Sequence, residues 1–140
     1  MSQVEFESTA RPLKEAELAG FEARWAIRVP GALRSHMLVH HGGRPKLDLF
    51  EDSVRVAWFY TLDELEKVAA PWWKEADGPA AYLARHKLPF GYDEGNAKFC
   101  VDMNDGAVTL LLSDGEHAHL ADSFGTFLAG LDDDDDDDSY

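Results

Sequence analysis

Apolar residues in this chain switch between a spacing of three to four and a spacing of two, and the switches mark its elements. Leu18, Phe21 and Trp25 share one face of a helix starting near Leu13, with Pro12 at its start, where a missing N–H costs nothing. Pro30 stops that helix and opens a second, because Val29 before it is pushed toward extended geometry while proline suits a first helical turn. Leu33, Met37 and Leu38 give this second helix its buried face. Gly42 is expected to close it in a left-handed conformation, and Gly43 to turn the chain into Arg44-Pro45. Val54, Val56 and Trp58 alternate with Arg55, Ala57 and Phe59, the period of a strand with two unlike faces. Thr61 and Glu64 have the spacing of a capping box before Leu62, Leu65 and Val68, and Pro71 is expected to end that third helix. Trp72, Trp73 and residues 78–87 read as an irregular insertion with a short helix over 80–85.

Leu88-Pro89-Phe90-Gly91 begins a second extended region, and Tyr92-Asp93-Glu94-Gly95-Asn96 supplies its turn. Phe99, Val101 and Met103 alternate with Cys100 and Asp102, while Asn104-Asp105-Gly106 and Ser113-Asp114-Gly115 flank a further strand over 108–112. With residues 116–121 this makes three consecutive antiparallel strands. Ser123 caps a last helix that turns Phe124, Phe127, Leu128 and Leu131 toward the sheet. Helices first, strands clustered in the second half and a closing helix predict an α+β fold. It is a single domain, an antiparallel sheet packed with N-terminal and C-terminal helices. Residues 1–12 read as a loose arm or an edge strand, 13–131 as the domain and 132–140 as a disordered acidic tail.

Composition supports one ordinary core: 45% of the 140 residues are hydrophobic, with four Trp and eight Phe. The single cysteine, Cys100, rules out an internal disulfide and suits a reducing compartment. Neither a secretory leader nor a membrane span is legible, so a soluble cytoplasmic protein is the simplest expectation. A formal charge of −14 argues against a nucleic-acid backbone as partner and favours a basic protein. Half of that charge sits in seven consecutive aspartates, 132–138, and the rest of the chain is acidic without them. The run suits solubility first, and steering of a cationic partner second.

Catalytic constellations are hard to find. His117 and His119 would share one face of a strand, but no spacing supplies the third ligand of a metal site, and no cofactor is expected. His40 and His41 point in different directions at a helix end. Cys100 lies in a strand pattern that favours an inert thiol, and Ser123 lacks the Gly-x-Ser-x-Gly setting of hydrolases. What remains is an acidic surface with aromatics. Asp93, Glu94, Asp102, Asp105, Asp114 and Glu116 lie in or beside the sheet turns, and several of them are expected to form one negative rim. Trp58, Trp72 and Trp73 are candidates for the apolar centre of a partner-binding patch.

Three phrases stand in fixed order: Val29-Pro30 through a short helix to His41-Gly42-Gly43, then Leu88-Pro89-Phe90-Gly91, then Ala121-Asp122-Ser123-Phe124-Gly125-Thr126-Phe127-Leu128. Together they make the chain resemble the SUKH superfamily, the Smi/Knr-type domain of bacterial proteins that neutralise toxins and of a fungal regulator of cell-wall synthesis. Pro30, Gly42, Gly43, Pro89, Gly91, Ser123 and Phe124 carry the resemblance; where His41 stands, members of that family usually have Asn. The resemblance implies a non-enzymatic immunity protein that binds and blocks a cognate toxin domain, for instance a basic nuclease. The alternative is an adaptor or regulatory protein-interaction module.

Overall fold

A computed structural model describes residues 6–7, 9–50, 54–74, 86–112 and 116–132. Helix α1 (Glu15–Trp25) starts where the Glu17 carboxylate accepts from the Lys14 backbone N–H at 3.0 Å, and it buries Leu18 and Phe21. Pro30 is the N-cap of α2 (Gly31–Val39), whose Leu33, His36 and Met37 are buried. Gly42 does not close this helix. The helix ends at His40 in extended geometry, and the left-handed glycines, Gly42 (φ +76°) and Gly43 (φ +104°), lie beyond it. They serve a turn packed against other segments, and so answer to tertiary contacts instead of a cap.

Strands β1 (Phe6–Glu7) and β2 (Arg44–Pro45) pair with each other, so Phe6 and Glu7 realise the edge-strand alternative. The remaining strands are β3 (Leu49–Phe50), β4 (Val54–Phe59), β5 (Lys87–Asp93), β6 (Lys98–Asp102), β7 (Val108–Leu111), β8 (His117–Ala121) and β9 (Leu131–Asp132). They form one antiparallel sheet in the order β8-β7-β6-β5-β4-β3-β9. With the helices this is the expected α+β architecture. Helix α3 (Leu62–Lys74) follows β4, and α4 (Phe124–Ala129) precedes β9.

Four sequence expectations shift. In β4, a bulge between Val56 and Trp58 resets the alternation, so Val56 and Phe59 are buried while Trp58 is half-buried. Pro71 lies inside α3 instead of ending it, and the last turn continues to Lys74. That turn is held by tertiary packing, since the Trp73 ring sits 5.2 Å from Trp25 and 6.1 Å from Phe21. Trp72 and Trp73 are therefore helical, whereas the short helix expected over 80–85 lies outside the described residues. Leu131 belongs to β9, opposite Phe50, because Gly130 stops α4 first.

An aromatic column forms the core. Phe50 stacks on Phe127 at 4.9 Å; Phe127 meets Phe99 at 5.4 Å and Phe90 at 5.6 Å; Phe90 meets Phe124 at 5.0 Å and Phe59 at 5.4 Å. Strand β6 is buried on both faces. Its register puts Cys100 with Thr109 and His119, opposite to Phe99 with Leu110 and Ala118. With only six residues α4 depends on its cap, where Ser123 Oγ accepts from the Thr126 N–H at 3.0 Å. Ser123→Ala is expected to lower stability by about 1 kcal/mol, read from the urea unfolding midpoint.

Candidate partner-binding surface

The antiparallel meander separates the acidic turns. Asp93 and Glu94 stand where β5 turns into β6, and Glu116 just before β8, all at one end of the sheet; Asp102 and Asp105 stand at the other, where β6 turns into β7. The described acidic residues thus fall into two groups at opposite ends of the sheet, and Asp114 lies outside the described residues. Several also build the turns themselves. Asp93 Oδ1 accepts from the N–H groups of Gly95 (2.9 Å) and Ala97 (2.8 Å), and Asp105 Oδ1 from that of Ala107 (2.9 Å). Asp102 Oδ1 accepts from the Asn104 N–H at 2.7 Å, while its Oδ2 faces Lys87 Nζ at 3.3 Å. Burial opposes its charge, but the Asn104 N–H and Lys87 hold its carboxyl below the usual aspartate value. Glu94 reaches Arg55 at 3.4 Å, and Arg55 also pairs with Asp48 at 2.9 Å.

The tryptophans occupy different places. Trp58 donates from Nε1 to Glu64 at 3.1 Å, at the first turn of α3. Trp73 is at the other end of α3, about 13 Å further along the axis, packed on α1. Trp25, expected in the core, is half-buried and donates to Glu66 at 2.6 Å; Arg24 pairs with that carboxylate at 2.8 Å.

Four of the motif residues, Gly42, Gly43, Gly91 and Phe124, gather where β4 runs into α3. The Gly42 backbone lies so close to Thr61 that an added Cβ would come within 2.8 Å of its methyl group. Gly43 exchanges backbone hydrogen bonds with Phe59 at 3.0 and 2.7 Å. Pro89 lies opposite Cys100, and Gly91 lies opposite Phe99 and Phe59, against the Trp58 carbonyl. Phe124 is buried against His36, Phe59 and Phe90.

His41 carries a role that sequence spacing did not reveal. Its Nε2 accepts from the Leu62 N–H at 3.0 Å, so Nδ1 bears the ring hydrogen and donates to the Arg11 carbonyl at 2.8 Å. The ring thus caps α3 beside the capping box, where Glu64 N–H donates to Thr61 Oγ1 at 3.2 Å and Thr61 N–H to Glu64 at 2.9 Å. A cavity of about 170 Å³ beside it is lined by Arg11, Glu17, His41, Thr61, Leu62 and Asp63. Arg11 and Glu17 form a two-bond ion pair at 2.5 and 2.9 Å, which holds Glu17 down to about 2.

His117 and His119 share a strand face, as their spacing predicts, but their surroundings differ. His119 is exposed and meets Asp122 at 3.1 Å, whereas both His117 ring nitrogens are buried without a partner, and burial beside Lys87 lowers its proton affinity. Among the described residues no three His, Cys, Asp or Glu side chains gather around a metal-sized space. Burial pushes the Cys100 thiol up to about 12, so it stays protonated at neutral pH. No helix among the described residues is long and apolar enough to cross a membrane.

A search of curated proteins finds no match. The sequence model of the SMI1 / KNR4 family (SUKH-1) matches residues 12–130, from the segment that His41 holds to the glycine that ends α4, and the chain belongs to that family.

Proposed function

We propose that this protein is a cytoplasmic bacterial immunity protein that binds a cognate basic toxin domain, such as a nuclease, and blocks it by occlusion and charge. Family membership gives the coarser part, a SUKH-type protein-interaction role. The observation that carries the finer part is the disposition of charge. Arg11, Arg24, Arg34, Arg55 and Lys87 each already face a carboxylate of the same chain. Much of the positive charge is thereby neutralised in place, and the surplus of Asp and Glu behind the formal −14 sets the field that a partner meets. A negative field raises the encounter rate with a basic domain and competes for surfaces that would otherwise hold a phosphate backbone.

Trp58 with Glu94, and the two ends of the β5–β8 meander with Asp93, Asp102, Asp105 and Glu116, are the contact surfaces we assign to this reading, together with Trp72, Trp73 and Asp114. The decisive measurement is binding to a candidate cognate toxin domain, sought among the products of neighbouring genes, across a salt series. Association is expected to slow at least about tenfold between 50 and 500 mM NaCl. Tight binding indifferent to salt would remove the electrostatic mechanism, and no binding would remove the function.

A further inference from the structure

Three imidazoles from one short stretch hold the N-terminal segment against the domain. Phe6 stacks on His40 with ring centroids 4.9 Å apart and meets His36 edge-on at 5.0 Å. The Ala10 N–H donates to the His41 carbonyl at 2.9 Å, and the His41 ring donates to the Arg11 carbonyl. Next to Phe6, the buried His36 Nε2 has no hydrogen-bond partner. We propose that these rings form an acid-sensitive latch, which keeps Phe6 and residues 9–13 docked at neutral pH and releases them on mild acidification while the sheet stays folded.

Two of the rings are tied to the docked arrangement, His41 by hydrogen bonds and His36 by apolar packing. A proton on His41 Nε2 would replace the acceptor of the Leu62 N–H with a second N–H pointing at it. The charged groups lining the adjacent cavity are Arg11 from the segment itself, Glu17 of α1 and Asp63 of α3. Arg11 and Glu17 already satisfy each other. Asp63 lines the same cavity but cannot restore the acceptor that the helix end would lose. His36 is faced by the apolar rings of Phe6 in β1, Phe59 in β4 and Phe124 in α4; its titratable neighbour is His40 in its own helix. Burial first, and His40 second, push His36 down to about 3.

The sign follows from that lowering. The docked state's preference for a neutral His36 is complete above the ordinary value of 6.5 and fades as pH falls from there toward about 3. His36, neutral when docked and back at its ordinary value of 6.5 when released, multiplies the released population about tenfold between pH 7.5 and 5.5. Release frees the rings of His36 and Phe59 from Phe6 and removes the cap from α3.

Amide hydrogen exchange followed by NMR, corrected for the intrinsic effect of pH, tests the latch in the full chain. Between pH 7.5 and 5.5, opening at Ala10 and Leu62 is expected to rise at least about tenfold, while Val101 and Leu110 in the sheet change less than about twofold. His36→Leu fills the same apolar site without a titrating group, and is expected to blunt the rise at both reporters. Imidazole nitrogen shifts of the unaltered protein should give His41 as the Nδ1–H tautomer at pH 7.5. A flat response, a parallel loss of protection in the sheet, or the opposite tautomer would each overturn the proposal.

Discussion

Phe90→Ala is expected to remove about 3–5 kcal/mol from the stability of the domain, as the loss of a whole ring from a closed core does. Phe90 is 2% exposed, and its ring touches Phe59, Phe99, Phe124 and Phe127 at centroid distances of 5.0 to 6.0 Å. Those four rings come from β4, β6 and α4, so the space left by alanine is walled by elements that cannot all move inward together. Phe90→Leu keeps most of the volume and is expected to cost about 1.5 kcal/mol. Equilibrium urea unfolding of both variants checks the pair. A loss below about 1 kcal/mol for alanine would mean that the aromatic column does not hold the sheet to α4.

Gly43→Ala is expected to cost about 3 kcal/mol, through backbone strain and collision. With φ at +104°, Gly43 lies where side chains are rarely tolerated, and a Cβ there would stand 2.6 Å from the Glu7 carbonyl oxygen and 3.0 Å from the Thr9 methyl group. Relief requires either lifting β1 away or breaking the paired hydrogen bonds between Gly43 and Phe59. Gly95→Ala is the control: its nearest neighbour would be 3.6 Å away, and a change within about 0.5 kcal/mol is expected. Thermal unfolding of the two variants side by side distinguishes positional strain from a general dislike of alanine.

The helices are legible in the sequence because their signals are local. The Thr61–Glu64 box, the Ser123 cap and the spacing of Leu18 and Phe21 all act within one or two turns. Strands β2, β3 and β9 are two residues long, too short to display a period, so only their partners define them. Val56 and Phe59, on opposite faces by simple alternation, are both buried through one bulge, which no count of alternating positions registers. Pro71 departs from expectation for the opposite reason: its local rule is sound, but Trp73 packs on Phe21 and Trp25 and draws the helix on past it. At the candidate surface, residue types are readable while their grouping is not, since turns adjacent in sequence fall at opposite ends of an antiparallel sheet. His41 is obscured by distance along the chain, with one ring partner 30 residues before it and the other 21 after.

Strand β9 closes one side of the seven-stranded sheet, and its last residue is the first of seven aspartates. Its outward row of backbone donors and acceptors is a template on which a second copy would otherwise add a strand and begin a fibre. A copy that paired through its own β9 would bring aspartate against aspartate, like charge against like charge. Pairing through this border is thereby made self-repelling, at neutral pH and low salt above all.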